Sequence, residues 1–145
     1  IHLGRRPGGR RAAQAHVAGR AGRLAFAGAR EADQIHVDDA IFRSPAVFKP
    51  YQGRAVIHGI LGLVMQVFGP LTYTNIWSND RGGVVMQFTT TVPGPDKRLD
   101  IEGVDIFQLD EQGQIAELRV MIRPLRGLQA VAAAMERLMG GGGNG

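Results

Sequence analysis

Residues 99–124 read LDIEGVDIFQLDEQGQIAELRVMIRP. Asp110-Glu111-Gln112-Gly113 at the centre is a tight-turn tetrapeptide, with Gly113 free to take the positive φ such a turn needs. Runs rich in β-formers lie on either side, so the stretch predicts a hairpin of two long strands. With period two, Leu99, Ile101, Gly103, Asp105, Phe107 and Leu109 share one face of the first strand. Asp100, Glu102, Val104, Ile106 and Gln108 share the other. One carboxylate, Asp105, therefore stands on the apolar face, where a charge is costly unless it is paired, hydrogen-bonded or protonated. Asp105 is the residue to explain.

Working outward, residues 84–92 form a further strand, with Met86, Phe88 and Thr90 on one face and Val85, Gln87 and Thr89 on the other. Residues 71–78 (LTYTNIWS) form the strand before it, turned by Asn79-Asp80-Arg81-Gly82-Gly83. The best helix covers 54–68: Val56, Ile60, Leu63, Val64 and Val67 fall on one stripe, Leu61 and Phe68 widen it, and Gly69-Pro70 stops it. Gly59 and Gly62 within it are read as points of close packing against the sheet. A loop fixed by Pro45 and Pro50 precedes that helix, and a short strand lies between Ile35 and Ser44. The residues after Pro124 form a short amphipathic helix to Met139. The order is helix-like segment, short strand, helix, then four consecutive antiparallel strands. A strongly bent antiparallel sheet wrapped over helices, an α+β cone, is the expected fold.

The chain has 145 residues and no cysteine, and its net charge is +4. One domain is expected, with neither disulfides nor thiolate metal sites. The charge is unevenly placed. Residues 1–30 hold seven Arg and no acidic residue, whereas residues 31–145 hold ten Lys and Arg against thirteen Asp and Glu, a net of −3. The basic face that nucleic-acid binding needs is absent from the folded part. Residues 1–31 are dominated by Arg, Gly and Ala. Three readings are open: a basic arm for nucleic acid or acidic lipid, a tail or poor helix, and a segment that is not a native start. The second and third are favoured. The division is then a basic low-complexity segment at 1–31, a domain at 32–139 and a glycine-rich tail at 140–145. No apolar run reaches membrane-spanning length. A cytoplasmic protein is expected, with no nucleic-acid or membrane partner.

The run VDIFQLDEQGQIAELRV at 104–120 resembles the signature hairpin of the nuclear transport factor 2-like superfamily, which includes SnoaL-like polyketide cyclases, ketosteroid isomerase and limonene epoxide hydrolase. DDAIFRSP at 38–45 and YQGRAVI at 51–57 resemble the same family's early strand and helix start. The resemblance covers roughly residues 35–139 and implies the cone fold, a homodimer and an apolar interior; the activity varies within the superfamily. By its place before Phe107, Asp105 matches the oxyanion-hole aspartic acid of ketosteroid isomerase, which an apolar site keeps neutral so that it donates a hydrogen bond. Other parts of that enzyme have no match. Its general-base aspartate falls at Ser44, and its oxyanion-hole tyrosine would lie in a segment that contains no Tyr. The epoxide hydrolase's aspartate on the last strand falls at Val120, and Arg98-Leu99-Asp100 repeats its R-x-D spelling at the wrong end of a strand.

The expected cavity is lined by Phe42, Met86, Phe88 and Phe107 from the early strands and by Leu118, Val120 and Ile122 from the last. Ser44, Tyr51 and Trp77 are the polar-tipped candidates beside them. Such a lining suits an apolar small-molecule ligand. Asp105 is either its acid or hydrogen-bond donor, with a raised pKa, or a structural carboxylate bonded to a neighbouring Tyr, Trp or Arg. Isomerase, cyclase or hydrolase activity and a non-catalytic binding or dimerisation role both remain open. No metal site or cofactor is expected; His58 has no second histidine at ligand spacing.

Overall fold

The computed structural model describes Ile35 and residues 37–140. The basic segment read at 1–31 lies outside the described residues, as do the residues after Gly140; Gly140 itself closes the last helix. Among the described residues, the elements are β1 (Ile41–Arg43), β2 (Tyr51–Gln52), α1 (Arg54–Val67), β3 (Thr72–Ser78), β4 (Gly83–Pro93), β5 (Arg98–Leu109), β6 (Ile115–Arg123) and α2 (Leu125–Gly140). The six strands make one sheet in the order β2-β1-β6-β5-β4-β3.

β3 to β6 form the expected antiparallel meander. The sheet as a whole is mixed, which corrects the all-antiparallel expectation: β1 runs parallel to β6, with Phe42 opposite Leu118. A parallel neighbour needs a long crossover connection. The excursion from β1 through α1 and the meander supplies it. The proline-bounded loop also contributes a two-residue strand, β2, whose Tyr51 pairs with Phe42.

The central hairpin turns as its residues dictate. Asp110 Oδ1 accepts the backbone N–H groups of Gln112 and Gln114, both at 2.9 Å, and Gly113 takes a φ of 77°. Beyond the turn, Leu109 pairs with Ile115 while Gln108 pairs with Glu117, leaving Ala116 as an extra residue. This bulge keeps Ile115 and Leu118 on one face although they are three apart. From there Leu118, Val120 and Ile122 look inward, and Met121 is the outward, 50% exposed residue. Val84, Met86, Phe88, Thr90 and Val92 are the buried alternates of β4. Ile101, Gly103, Asp105, Phe107 and Leu109 are those of β5.

The helix over 54–67 faces the sheet about one position away from the expected stripe. Ile57, Ile60, Leu61 and Val67 are buried, whereas Val56 is 49% exposed. The sequence offers two apolar stripes, and the one at 57, 60, 61 and 64 carries the larger side chains, so its burial removes more area from water. Gly59 and Gly62 consequently fall on the open side. A Cβ at either would meet no atom within 4 Å, so close packing is not their role.

Two clusters make the core. The larger joins Ile35, Ile57, Ile60 and Leu61 to Val84, Met86, Phe107 and Leu118. The smaller joins Val67, Val92 and Ile101 to Val131 and Ala134 of α2. Together they seat both helices on the concave side of the sheet and leave a gap between the clusters.

Candidate functional site

That gap is a cavity of about 340 Å³. Its floor is the sheet's concave face: Phe88 of β4, Asp105 of β5, and Leu118, Val120 and Ile122 of β6. One wall is α1, through Ile60, Leu61, Val64 and Met65, continued by Phe68 and Leu71. The other is α2, through Val131, Ala132, Met135, Glu136 and Met139. Phe42, Tyr51 and the loop from Ser44 to Val47 close the β1 side.

Asp105 occupies the middle of this floor, opposite Met86 on β4 and Val120 on β6. It is 8% exposed. Period two alone carries it there: a strand that must bury Ile101, Gly103 and Phe107 buries residue 105 with them. Two residues along, Gly103 makes room for a ring. A Cβ on it would lie 2.6 Å from Phe88 Cζ, so the glycine is what allows Phe88 to lie against the sheet beside Asp105. Phe88 also packs edge-on to Tyr73, with ring centroids 6.5 Å apart.

The other polar lining groups are few. Tyr51 stacks on Phe42, with centroids 6.3 Å apart and planes 23° from parallel. Ser44 Oγ accepts the backbone N–H of Ala46 at 3.1 Å, which folds the Ser-Pro-Ala corner. Glu136 stands on the exposed part of α2. Among the described residues, no Lys, Arg or His lines the cavity.

Of the residues read from the sequence, Phe42, Ser44, Tyr51, Phe88, Asp105, Leu118, Val120 and Ile122 meet around the cavity. Three do not. Met86 and Phe107 point inward but are each 1% exposed and sealed in the larger core cluster. Trp77 is 53% exposed on the outer face of the sheet. A bulge in β3 between Tyr73 and Asn75 sets its register, so that Trp77 pairs with outward-facing Val85. The helical walls are absent from the sequence-based lining. Their signal is the spacing of four in Val131, Met135 and Met139, which puts three apolar side chains on one face of α2.

Other candidates are occupied elsewhere. His58 donates from Nε2 to the Ile35 carbonyl at 3.2 Å. Arg98 donates to Thr91, from Nε to Oγ1 at 2.9 Å and from Nη2 to the carbonyl at 3.1 Å, a tie between strand ends away from the cavity. No group of three or more His, Asp or Glu side chains among the described residues could hold a metal ion. No helix among them is long and apolar enough to cross a membrane.

Known proteins share this architecture. The family model described as a SnoaL-like domain matches residues 9–118. None of the curated proteins matches the chain. Among solved structures, a steroid delta-isomerase from Pseudomonas aeruginosa is similar at 32% identity with a TM-score of 0.72, over 88% of this chain and 90% of that one. A protein with a cystatin-like fold from Silicibacter pomeroyi is similar at 29% identity and a TM-score of 0.66, over 77% of this chain and 79% of the other. A SnoaL-like polyketide cyclase from Jannaschia shares the fold at 16% identity and a TM-score of 0.59, over 72% of this chain and 78% of its own. The extent of the family match and the resemblance to the isomerase agree with the bent sheet, the two helices and the cavity between them: the chain belongs to the SnoaL-like family of the nuclear transport factor 2-like superfamily.

Proposed function

We propose that the protein binds an apolar small molecule in its cavity and uses Asp105 as a hydrogen-bond donor or general acid toward an oxygen of that molecule, in an isomerisation or a related cyclisation. The observation that carries this reading is a buried carboxyl on the floor of a largely apolar cavity. Burial among apolar side chains favours the neutral form of a carboxyl, and the neutral form is a donor. A volume of about 340 Å³ is within the range of small-molecule sites. Similarity to a steroid delta-isomerase makes a steroid ketone the first compound class to try.

A second reading, binding without turnover, is favoured by Ser44. This residue stands where the resemblance would put the isomerase's base, and its hydroxyl is held by Ala46 N–H. A neutral hydroxyl does not shuttle a proton between carbons unaided.

The test is calorimetric binding of a steroid ketone to the wild type, Asp105→Asn and Asp105→Leu, with conversion of a β,γ-unsaturated steroid ketone to its conjugated isomer followed by absorbance. Asn keeps a donor and retains binding, while Leu loses at least about tenfold, the worth of one hydrogen bond. A catalytic Asp105 shows as a fall in turnover of roughly 10²–10⁴-fold in Asp105→Asn. Binding by wild type without turnover establishes the second reading. Equal binding by Asp105→Leu overturns the role of Asp105 in both.

A further inference from the structure

We infer that Tyr51 is a second ligand-reading residue: its phenol hydroxyl bonds an oxygen at the end of the ligand remote from Asp105, and the ligand is a fused polycycle with an oxygen function at each end. This deepens the proposed function and rests on the cavity being a ligand site.

The backbone around Tyr51 is tied on both sides. Pro50 before it has a restricted φ and supplies no backbone donor. Tyr51 itself pairs with Phe42 in the two-residue strand β2. Gly53, two residues on, takes a φ of 107°, and its N–H donates to the Ala40 carbonyl at 3.0 Å, so the chain turns at once into α1. The ring is held as well. It stacks on Phe42, which is 3% exposed and lies opposite Leu118 in the register with β6. Directly opposed residues share a face of a sheet, so Tyr51 stands on the concave side with Phe42. It packs against the larger core cluster and lines the cavity.

A phenylalanine would fill this wall as well as a tyrosine does. What the tyrosine adds is a hydroxyl, both donor and acceptor, at the tip of an apolar ring with only two side-chain torsions to fix. It can donate to a carbonyl oxygen or exchange a hydrogen bond with a hydroxyl.

Its position sets the length of the ligand. In the sheet order β2-β1-β6-β5, Tyr51 and Asp105 are three strands apart. At ordinary strand spacing this is about 14 Å along a flat sheet, and less across a concave one. The floor between them carries Phe42, Leu118 and Val120, all apolar lining residues. A molecule that meets both polar groups therefore needs a long apolar body between its two oxygens. A rigid body holds the second oxygen in place without the entropy that a flexible chain loses on binding. Fused rings meet both demands, whereas a single ring is too short.

Two steroid ketones with one skeleton test this, one with a hydroxyl and one with hydrogen at the end remote from the ketone. Each is titrated calorimetrically into the wild type and into Tyr51→Phe, which keeps the ring and whose folding is checked by its melting curve. The hydroxyl compound is expected to weaken about fivefold or more in Tyr51→Phe, the loss of one hydrogen bond, while the hydrogen compound stays within about twofold. An equal change for both compounds, or no change for either, overturns the inference and leaves the binding proposal standing. Failure of both compounds to bind the wild type overturns both.

Discussion

Phe88 lies against Gly103, its register partner across β4 and β5, with no space for a methyl group between them. A Cβ at 103 would stand 2.6 Å from Phe88 Cζ and 2.5 Å from the Met121 carbonyl oxygen. The ring can move only into the cavity it lines, and the carbonyl belongs to a paired strand. Gly103→Ala is expected to destabilise the fold by about 1–3 kcal/mol, the usual cost of overpacking, and to reduce cavity volume. Denaturant unfolding and ligand calorimetry on the same variant check the two effects; unaltered stability would mean that β6 yields freely at Met121.

The cavity can be filled without disturbing either core cluster. Ala132 lines it from α2 but belongs to neither cluster. Ala132→Phe is expected to lower ligand affinity by at least about tenfold while the melting temperature stays within a few degrees. Full affinity in this variant would place the ligand elsewhere.

The outer face of the sheet carries a second expectation. Trp77 is 53% and Met121 50% exposed there, and the register joins Trp77 to Val85 and Ile106 in one apolar row. Such a surface is usually covered by a second copy, and a homodimer through this face is proposed. Sedimentation is expected to give a dimer at micromolar concentration and a monomer for Trp77→Glu combined with Met121→Glu. A wild-type monomer would refute it.

Much of this fold is written in local pattern. Alternation along 99–109 places Asp105 inside, and the Asp110–Gly113 turn sets the hairpin. The features that escape local pattern depend on partners distant in the chain. Nothing near Ile41 announces a parallel neighbour in β6. Two apolar stripes compete for the face of α1, and only the sheet selects Ile57 and Leu61. Trp77 reads as a lining residue because strand alternation cannot reveal the β3 bulge that turns it outward. Glu136 carries no local signal of a site, since its position beside a cavity exists only once α2 packs back on the sheet.

A crystal structure of the protein with a bound steroid ketone decides whether Asp105 meets the ligand. The ligand body is expected between α1 and α2, with its ketone oxygen about 2.5–3.0 Å from a carboxyl oxygen of Asp105. A ligand bound in the cavity with that oxygen turned away from Asp105, or bound outside the cavity, would contradict the proposed role.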